Sequence, residues 1–462
     1  MPKGRLLGET AALLQRAGWE LSGYGEEARF YHLQSRRFPN LLIKVFHEKD
    51  IPIQAAVGNY DLGICGLDWV EELLVKYPSS ALVKVRSLEY GECALYMVAS
   101  RSETASTLER LLSKPGIIRI ASEYPNLAES FALHSRLKRF SVFPLWGGAE
   151  VYPPESADLA LVSGREDDGS FDYGLVPVAK VCSVSATLIV NKNSWERKDL
   201  SDIIASIEET LLAGREPRLT AVRKPETINQ YPSDTANEGT IWLALPDGHQ
   251  QQHTIALLNR AGIQIDDYPS AVGNRRPTIK LAGVTIKVIR PQDMPLQVAN
   301  GNFDLAITGR DWLTDHLYQF PSSPVSVLLD LGYGKVRIVA VVSNGFSASD
   351  VHSLRQVGAN HSAFRVASEY VNIADKYARD NHLGVYKVIP TWGASEAFLP
   401  DDADLLIENT ETGQTIARHN LKIIDTLFES TACLIGNKNS YLSPAKGERM
   451  RSIAETLRKG LT

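Results

Sequence analysis

The 462-residue chain is poor in cysteine and methionine, has no long apolar run and carries no large excess of either charge. Its four cysteines, Cys65, Cys93, Cys182 and Cys433, lie far apart with no Cys-x-x-Cys pair. That speaks against a zinc ribbon or a disulfide framework and for a reducing compartment, the cytoplasm. No apolar stretch reaches the length of a membrane span, so no membrane partner is expected. The N-terminal MPKGRLLGETAALLQRAGWEL interrupts its apolar residues with charge, unlike a secretory signal. A formal net charge of −5 without a dense basic stripe gives no footprint for nucleic acid.

What is present is a globular composition, 44% hydrophobic and 22% charged, and a repeat. KDIPIQAAVGNYDLGICGLDWVEE at Lys49 returns as QDMPLQVANGNFDLAITGRDWLTD at Gln292. RIASEYPNLAES at Arg119 returns as RVASEYVNIADK at Arg365, LWGGAEV at Leu145 as TWGASEA at Thr391, and NKNS at Asn191 again at Asn437. The chain thus divides into a first unit over 1–213, a polar linker with three prolines over 214–240, and a second unit over 241–462. Within each unit, β-branched apolar runs such as LIKVF, DLGIC, ALYMVAS and ATLIV alternate with stretches of helical spacing such as LLGETAALLQRAG. This alternation predicts α/β lobes on largely parallel sheets, as one domain or as two lobes around a cleft.

The stretch ENTETGQTIARHN, Glu408 to Asn420, follows the apolar run ADLLI. A strand-to-helix turn of Thr, Gly, Gln and Thr can aim backbone N–H groups and two hydroxyls at one anion; the same residues also make an ordinary capped turn. At the matching place the first repeat reads VSGREDDGSFDYG, with Glu166, Asp167 and Asp168 where the second has Thr-Gly-Gln. Carboxylates there repel a phosphate, and the run reads as a solvated loop. His249 and His253 are one helical turn apart but lack the glutamate that a zinc protease needs between them. The repeated pairs Asp68–Trp69 and Asp311–Trp312 read as helix caps and packing residues.

PKGRL near the N-terminus, RPQDMPLQVANGNFDLAITGRDW, LLDLGYGKVRIVAVV, RVASEYVNIA and ADLLIENTETGQTI together resemble the catalytic subunit of ATP phosphoribosyltransferase, once per half. At the loop the family pattern is D-hydrophobic-V-E-T-G-T-T-L; here Glu408 stands for its Asp, Gln414 for its central Thr and Ile416 for its Leu. The resemblance implies two tandem copies of a two-lobed, periplasmic-binding-protein-like fold. It implies a reaction that joins N1 of ATP to C1′ of phosphoribosyl diphosphate in the first step of histidine biosynthesis, with Mg2+ on the departing diphosphate. It also implies that the loop Glu411, Thr412, Gly413, Gln414 and Thr415 holds the 5′-phosphate, while Glu408 and Glu396 (or Glu150 in the first copy) approach the ribose.

The halves differ in their cations. The first keeps Lys3 and Arg5 where the second has Asp247 and His249; the second keeps Arg290, Lys335 and Arg337 where the first has His47, Glu92 and Ala94. Each has an arginine pair, Arg36–Arg37 and Arg275–Arg276, able to reach an anion. The expectation is one centre on the second-half loop with Arg290 and Arg337 as catalytic cations, Lys3 and Arg5 supplied across a pseudo-twofold, and Arg275 and Arg36 as substrate contacts. The halves would act as a pseudo-dimer, with a further homo-oligomer or a regulatory subunit left open. Two other readings stand beside it: a weak or inactive nucleotide-binding paralogue that regulates a partner, and a phosphoribosyltransferase for another base.

Overall fold

The computed structural model describes every residue except 26–30, 102–114, 165–170, 172, 214–238, 272, 361–362 and 462. The acidic run Arg165–Ser170 and nearly all of the expected linker therefore lie outside the described residues. The chain forms two compact units. Unit 1 comprises Met1–Pro144, Ala157–Tyr231 and Thr391–Ala397; unit 2 comprises Leu145–Ser156, Pro232–Pro390 and Phe398–Thr462. Each unit thus takes in a short stretch of the other repeat.

Unit 2 is built from two α/β lobes. In the first lobe the sheet runs Val284–Ile289, Ile241–Pro246, Leu305–Gly309, Ala432–Asn437, Val325–Asp330. Its first three strands are parallel, and Ala432–Asn437 lies antiparallel to both of its neighbours. Leu305–Gly309 and Ala432–Asn437 are buried at every position, the mark of strands covered on both faces. Helix Gly447–Lys459 covers one face, burying Met450, Ile453, Ala454 and Leu457, which recur at helical spacing. Met450, Ile453 and Leu457 each stabilise the lobe by about 1.5–3 kcal/mol.

The second lobe repeats the plan in the order Tyr386–Pro390, Phe364–Ser368, Leu405–Thr410, Val336–Ser343, Leu421–Ser430. The chain enters this lobe after Asp330 and returns through Ser430–Ala432. Two short crossings therefore join two lobes, which is the periplasmic-binding-protein-like arrangement that the resemblance implied. In unit 1 the second lobe has the same five-stranded order: Leu175–Val184, Cys93–Ser100, Leu159–Gly164, Ile118–Ser122, Phe140–Pro144. Its first lobe holds a three-stranded sheet of Leu62–Gly66, Ala186–Asn191 and Leu82–Ser87 beside the parallel pair Pro2–Lys3 and Phe46–His47. No described helix is long and apolar enough to cross a membrane.

Candidate functional site

The second-half loop begins where strand Leu405–Thr410 leaves the core of its lobe. Gly413 has φ +80°, a left-handed backbone that costs glycine no Cβ clash, and it starts the short helix Gln414–Arg418. The Thr410 hydroxyl accepts from the Gly413 N–H at 2.9 Å, and the Thr412 hydroxyl from the Gln414 N–H at 3.4 Å. Two N–H groups expected to face an anion are thus spent on shaping the turn. Glu411, Thr412, Gln414 and Thr415 remain exposed.

Beside the loop, Arg337 pairs in register with Thr410 on one side and Glu429 on the other. In an antiparallel ladder, directly opposed residues share a face. Lys335 is neutralised by Glu429 at 2.9 Å. The Arg337 side chain makes no hydrogen bond or ion pair among the described residues, so its guanidinium stays available next to the Thr/Gly loop.

A hydrogen-bond chain runs from the crossings to the loop. The Tyr370 hydroxyl donates to Asp311 at 2.7 Å and accepts from Asn409 at 3.0 Å, and Asn409 also donates to Glu408. Asp311 further accepts from the Ser430 hydroxyl at 3.0 Å, at the return crossing. Burial raises the Asp311 carboxyl above its ordinary pKa, against the opposing pull of Tyr370 and Ser430. Neither Asp311 nor Asp68 caps its helix: the N-caps are Gly309 and Gly66. The neighbouring tryptophans do pack, Trp312 on Tyr370 and Trp69 on Tyr124, each stacked at 4.2 Å.

Unit 2 also holds the first repeat's Leu145–Ser156. The Trp146 N–H donates to Asp293 at 3.0 Å; Glu150 pairs with Arg275 at 3.5 Å; Glu155 binds Arg276 at 3.1 Å and Lys287 at 2.8 Å. Burial alone would raise the Glu155 carboxyl, but Lys287 and Arg276 outweigh it and hold the pKa below the ordinary range. Asp247 accepts a hydrogen bond from Arg275 at 3.2 Å and forms an ion pair with Arg290 at 3.1 Å. Arg275 and Arg290 are thereby brought together, and Arg275 is shared between Asp247 and the first-repeat segment.

The remaining expected residues lie in unit 1. Lys3 reaches Tyr31 at 3.3 Å. Arg5 binds Glu48 at 3.1 Å and approaches Asp68 at 3.8 Å; burial opposes its charge, but these carboxylates prevail and raise its pKa. Arg36 is largely exposed and meets Glu20 at 3.6 Å. Glu396 belongs to the Thr391–Ala397 stretch of this unit, whereas the second-half loop belongs to unit 2. In unit 2, Glu150 is the glutamate of that motif. Lys49 lies over the Trp69 ring at 4.6 Å and pairs with Glu123 at 3.4 Å, where unit 2 has Gln292 and Glu369. His253 stacks on Tyr333.

Sequence reasoning missed Lys287, Glu155, Asp293, Tyr370 and Asn409. A signal for the first was present: LIKVF and TIKVI place a lysine inside a buried strand in both repeats, and both Lys44 and Lys287 are almost fully buried. Such lysines need a partner. Lys44 donates to the Ala397 carbonyl at 3.0 Å, on the second-repeat stretch that unit 1 takes in.

No group of three His, Cys, Asp or Glu side chains able to hold a metal ion exists among the described residues. The described residues thus offer no cage of their own for Mg2+, an ion that ordinarily binds through substrate phosphates with few protein ligands.

A family model described as HisG, ATP phosphoribosyltransferase, matches residues 47–211 and again 290–459. The ATP phosphoribosyltransferase of Prosthecochloris aestuarii is 32% identical over 227 residues, and that of Pelodictyon phaeoclathratiforme 34% over 229. Each alignment spans 48% of this chain and 72% of the relative. A chain of the ATP phosphoribosyl transferase (HisG:HisZ) complex from Thermotoga maritima is 22% identical, covered to 98%, and matches 48% of this chain with a TM-score of 0.39.

Proposed function

Because this chain belongs to the ATP phosphoribosyltransferase family, as a tandem duplication, we propose that it transfers the phosphoribosyl group of phosphoribosyl diphosphate to N1 of ATP from one centre in unit 2. With the repeats taken as 1–213 and 241–462, donor binding belongs to the second.

The observation that carries this reading is the unpaired Arg337 beside the Thr410–Thr415 turn. The adenine ring nitrogen is already a nucleophile. As the N1–C1′ bond forms and the C1′–oxygen bond breaks, the electron pair leaves with the diphosphate, and the centre must stabilise that charge while holding both partners in line. Thr412 and Thr415 would hold the 5′-phosphate, Glu408 the ribose hydroxyls, and Arg337 and Arg290 the anionic groups. Mg2+ would arrive on the diphosphate and neutralise part of its charge.

Supplying full-length protein with ATP, phosphoribosyl diphosphate and Mg2+ should yield phosphoribosyl-ATP. The double variant Thr412→Val/Thr415→Val should abolish that product, and Asp167→Lys should not. Undiminished turnover in the double variant would overturn the assignment.

One observation favours the second reading, an anion-binding paralogue without turnover: Asp247 replaces the family lysine and neutralises both Arg275 and Arg290. Calorimetric binding of phosphoribosyl diphosphate without product formation would identify it.

A further inference from the structure

Four charged groups of unit 2 form a line. Glu150 Oε1 faces Arg275 Nε at 3.5 Å, Arg275 Nη1 meets Asp247 Oδ2 at 3.2 Å, and the same oxygen meets Arg290 Nη1 at 3.1 Å. Arg275 and Asp247 in the middle are the least exposed, at 19% and 12%, and Arg290 at the far end is the most exposed, at 43%. Arg275 is the inner member; it also donates to the Val288 carbonyl and takes the Val288 N–H on its own carbonyl at 2.8 Å. Gly148 of the first-repeat segment sits against its guanidinium: a Cβ there would lie 3.2 Å from Cζ. Arg290 is the outer member, and among the described residues its guanidinium pairs with Asp247 alone.

We propose that Asp247 is a positioning residue for donor binding: it holds Arg290 in place for the anionic donor and ties that arginine, through Arg275, to Glu150 of the first repeat. This rests on the reading of unit 2 as the donor centre. By position Asp247 corresponds to Lys3, and by sign it is the opposite. A lysine here would place a third cation between two arginines and drive them apart, so the substitution that restores the family residue should weaken this centre. The corresponding arginines of the first repeat fit the same logic. Where the first repeat has Lys3 in place of the aspartate, Arg36 meets Glu20 and Arg37 donates to the Ala17 carbonyl.

The test is calorimetric titration of full-length protein with phosphoribosyl diphosphate, together with steady-state kinetics. Asp247→Asn and Asp247→Lys should each raise the donor Kd and KM by at least about tenfold, the worth of a single charge-assisted hydrogen bond, with kcat changed far less. Asp247→Glu should recover most of that loss, and Glu150→Gln should show a smaller increase of the same kind. A loss of fold would instead lower the melting temperature and kcat together, and Asp247→Glu, with its longer side chain, would not rescue it. Unchanged or tighter donor binding in Asp247→Lys overturns the inference while leaving the donor centre standing. No donor binding by the unaltered chain overturns both.

Discussion

Lys287 and Glu155, 132 residues apart in the chain, meet at 2.8 Å inside unit 2, where the lysine side chain is 1% exposed. Glu155 serves Arg276 as well, so the two partners are not equivalent. Glu155→Gln removes the counter-charge of two cations, one of them fully buried, and should cost about 3–5 kcal/mol. Lys287→Met removes the buried charge and leaves Glu155 with Arg276, so it should cost clearly less. Urea unfolding of the two variants checks the order; the reverse order would mean that the segment is held by something other than this carboxylate.

The same pair sets an acid limit. The folded-state pKa of Glu155 is depressed, so its stabilisation is present above the unfolded value of about 4.3 and is lost as pH falls through the folded value. Glu155→Gln should flatten the stability profile below about pH 4.3.

Asp311 has the opposite sign. Its folded pKa is raised by burial, so stability is greatest below the unfolded value of about 3.9 and is lost as pH rises through the raised value. Tyr370→Phe removes the donor that favours the charged form, pushing that pKa up further. The variant should lose about 1–3 kcal/mol at neutral pH and less in mild acid. Equal losses at both pH values would disprove the coupling.

Arg337 and Lys335 lie two residues apart and should behave differently. Arg337→Gln should weaken phosphoribosyl diphosphate binding by roughly tenfold or more if, as proposed, the guanidinium gives the donor a charge-assisted hydrogen bond. Lys335→Gln removes half of an exposed pair and should change binding by no more than about threefold. Comparable losses would point to a general potential rather than a direct hydrogen bond.

At Gly309 the backbone is ordinary, but an added Cβ would lie 2.0 Å from Asp311 Oδ1. Gly309→Ala should therefore displace Asp311 from Tyr370 and Ser430 and destabilise the chain by about 1–3 kcal/mol, read by thermal melting.

Much of the fold was legible because the repeat prints the same strands twice, and doubly buried strands such as Leu305–Gly309 and Ala432–Asn437 read as unbroken apolar runs. The loop at Glu411–Thr415 was legible from its glycine and hydroxyls. The identity of the partners was not. Asp247 looked like a missing lysine, and only its distances to Arg275 and Arg290 give it a place. Glu150 and Glu396 carry one motif, yet each is taken into the unit of the other repeat, a choice made by long-range pairing that local pattern does not encode. Asp311 read as a cap because Asp is common there; Gly309, two residues earlier, takes that position, and the carboxylate turns to Tyr370.

The exchange of Leu145–Ser156 and Thr391–Ala397 has a genetic consequence. The first repeat is not free to drift, because Glu150 and Glu155 answer to Arg275, Arg276 and Lys287 encoded in the second. A change in either gene half is felt in the other's product. Cutting the reading frame between the repeats would yield two polypeptides that each lack a piece, restored only when both are made together.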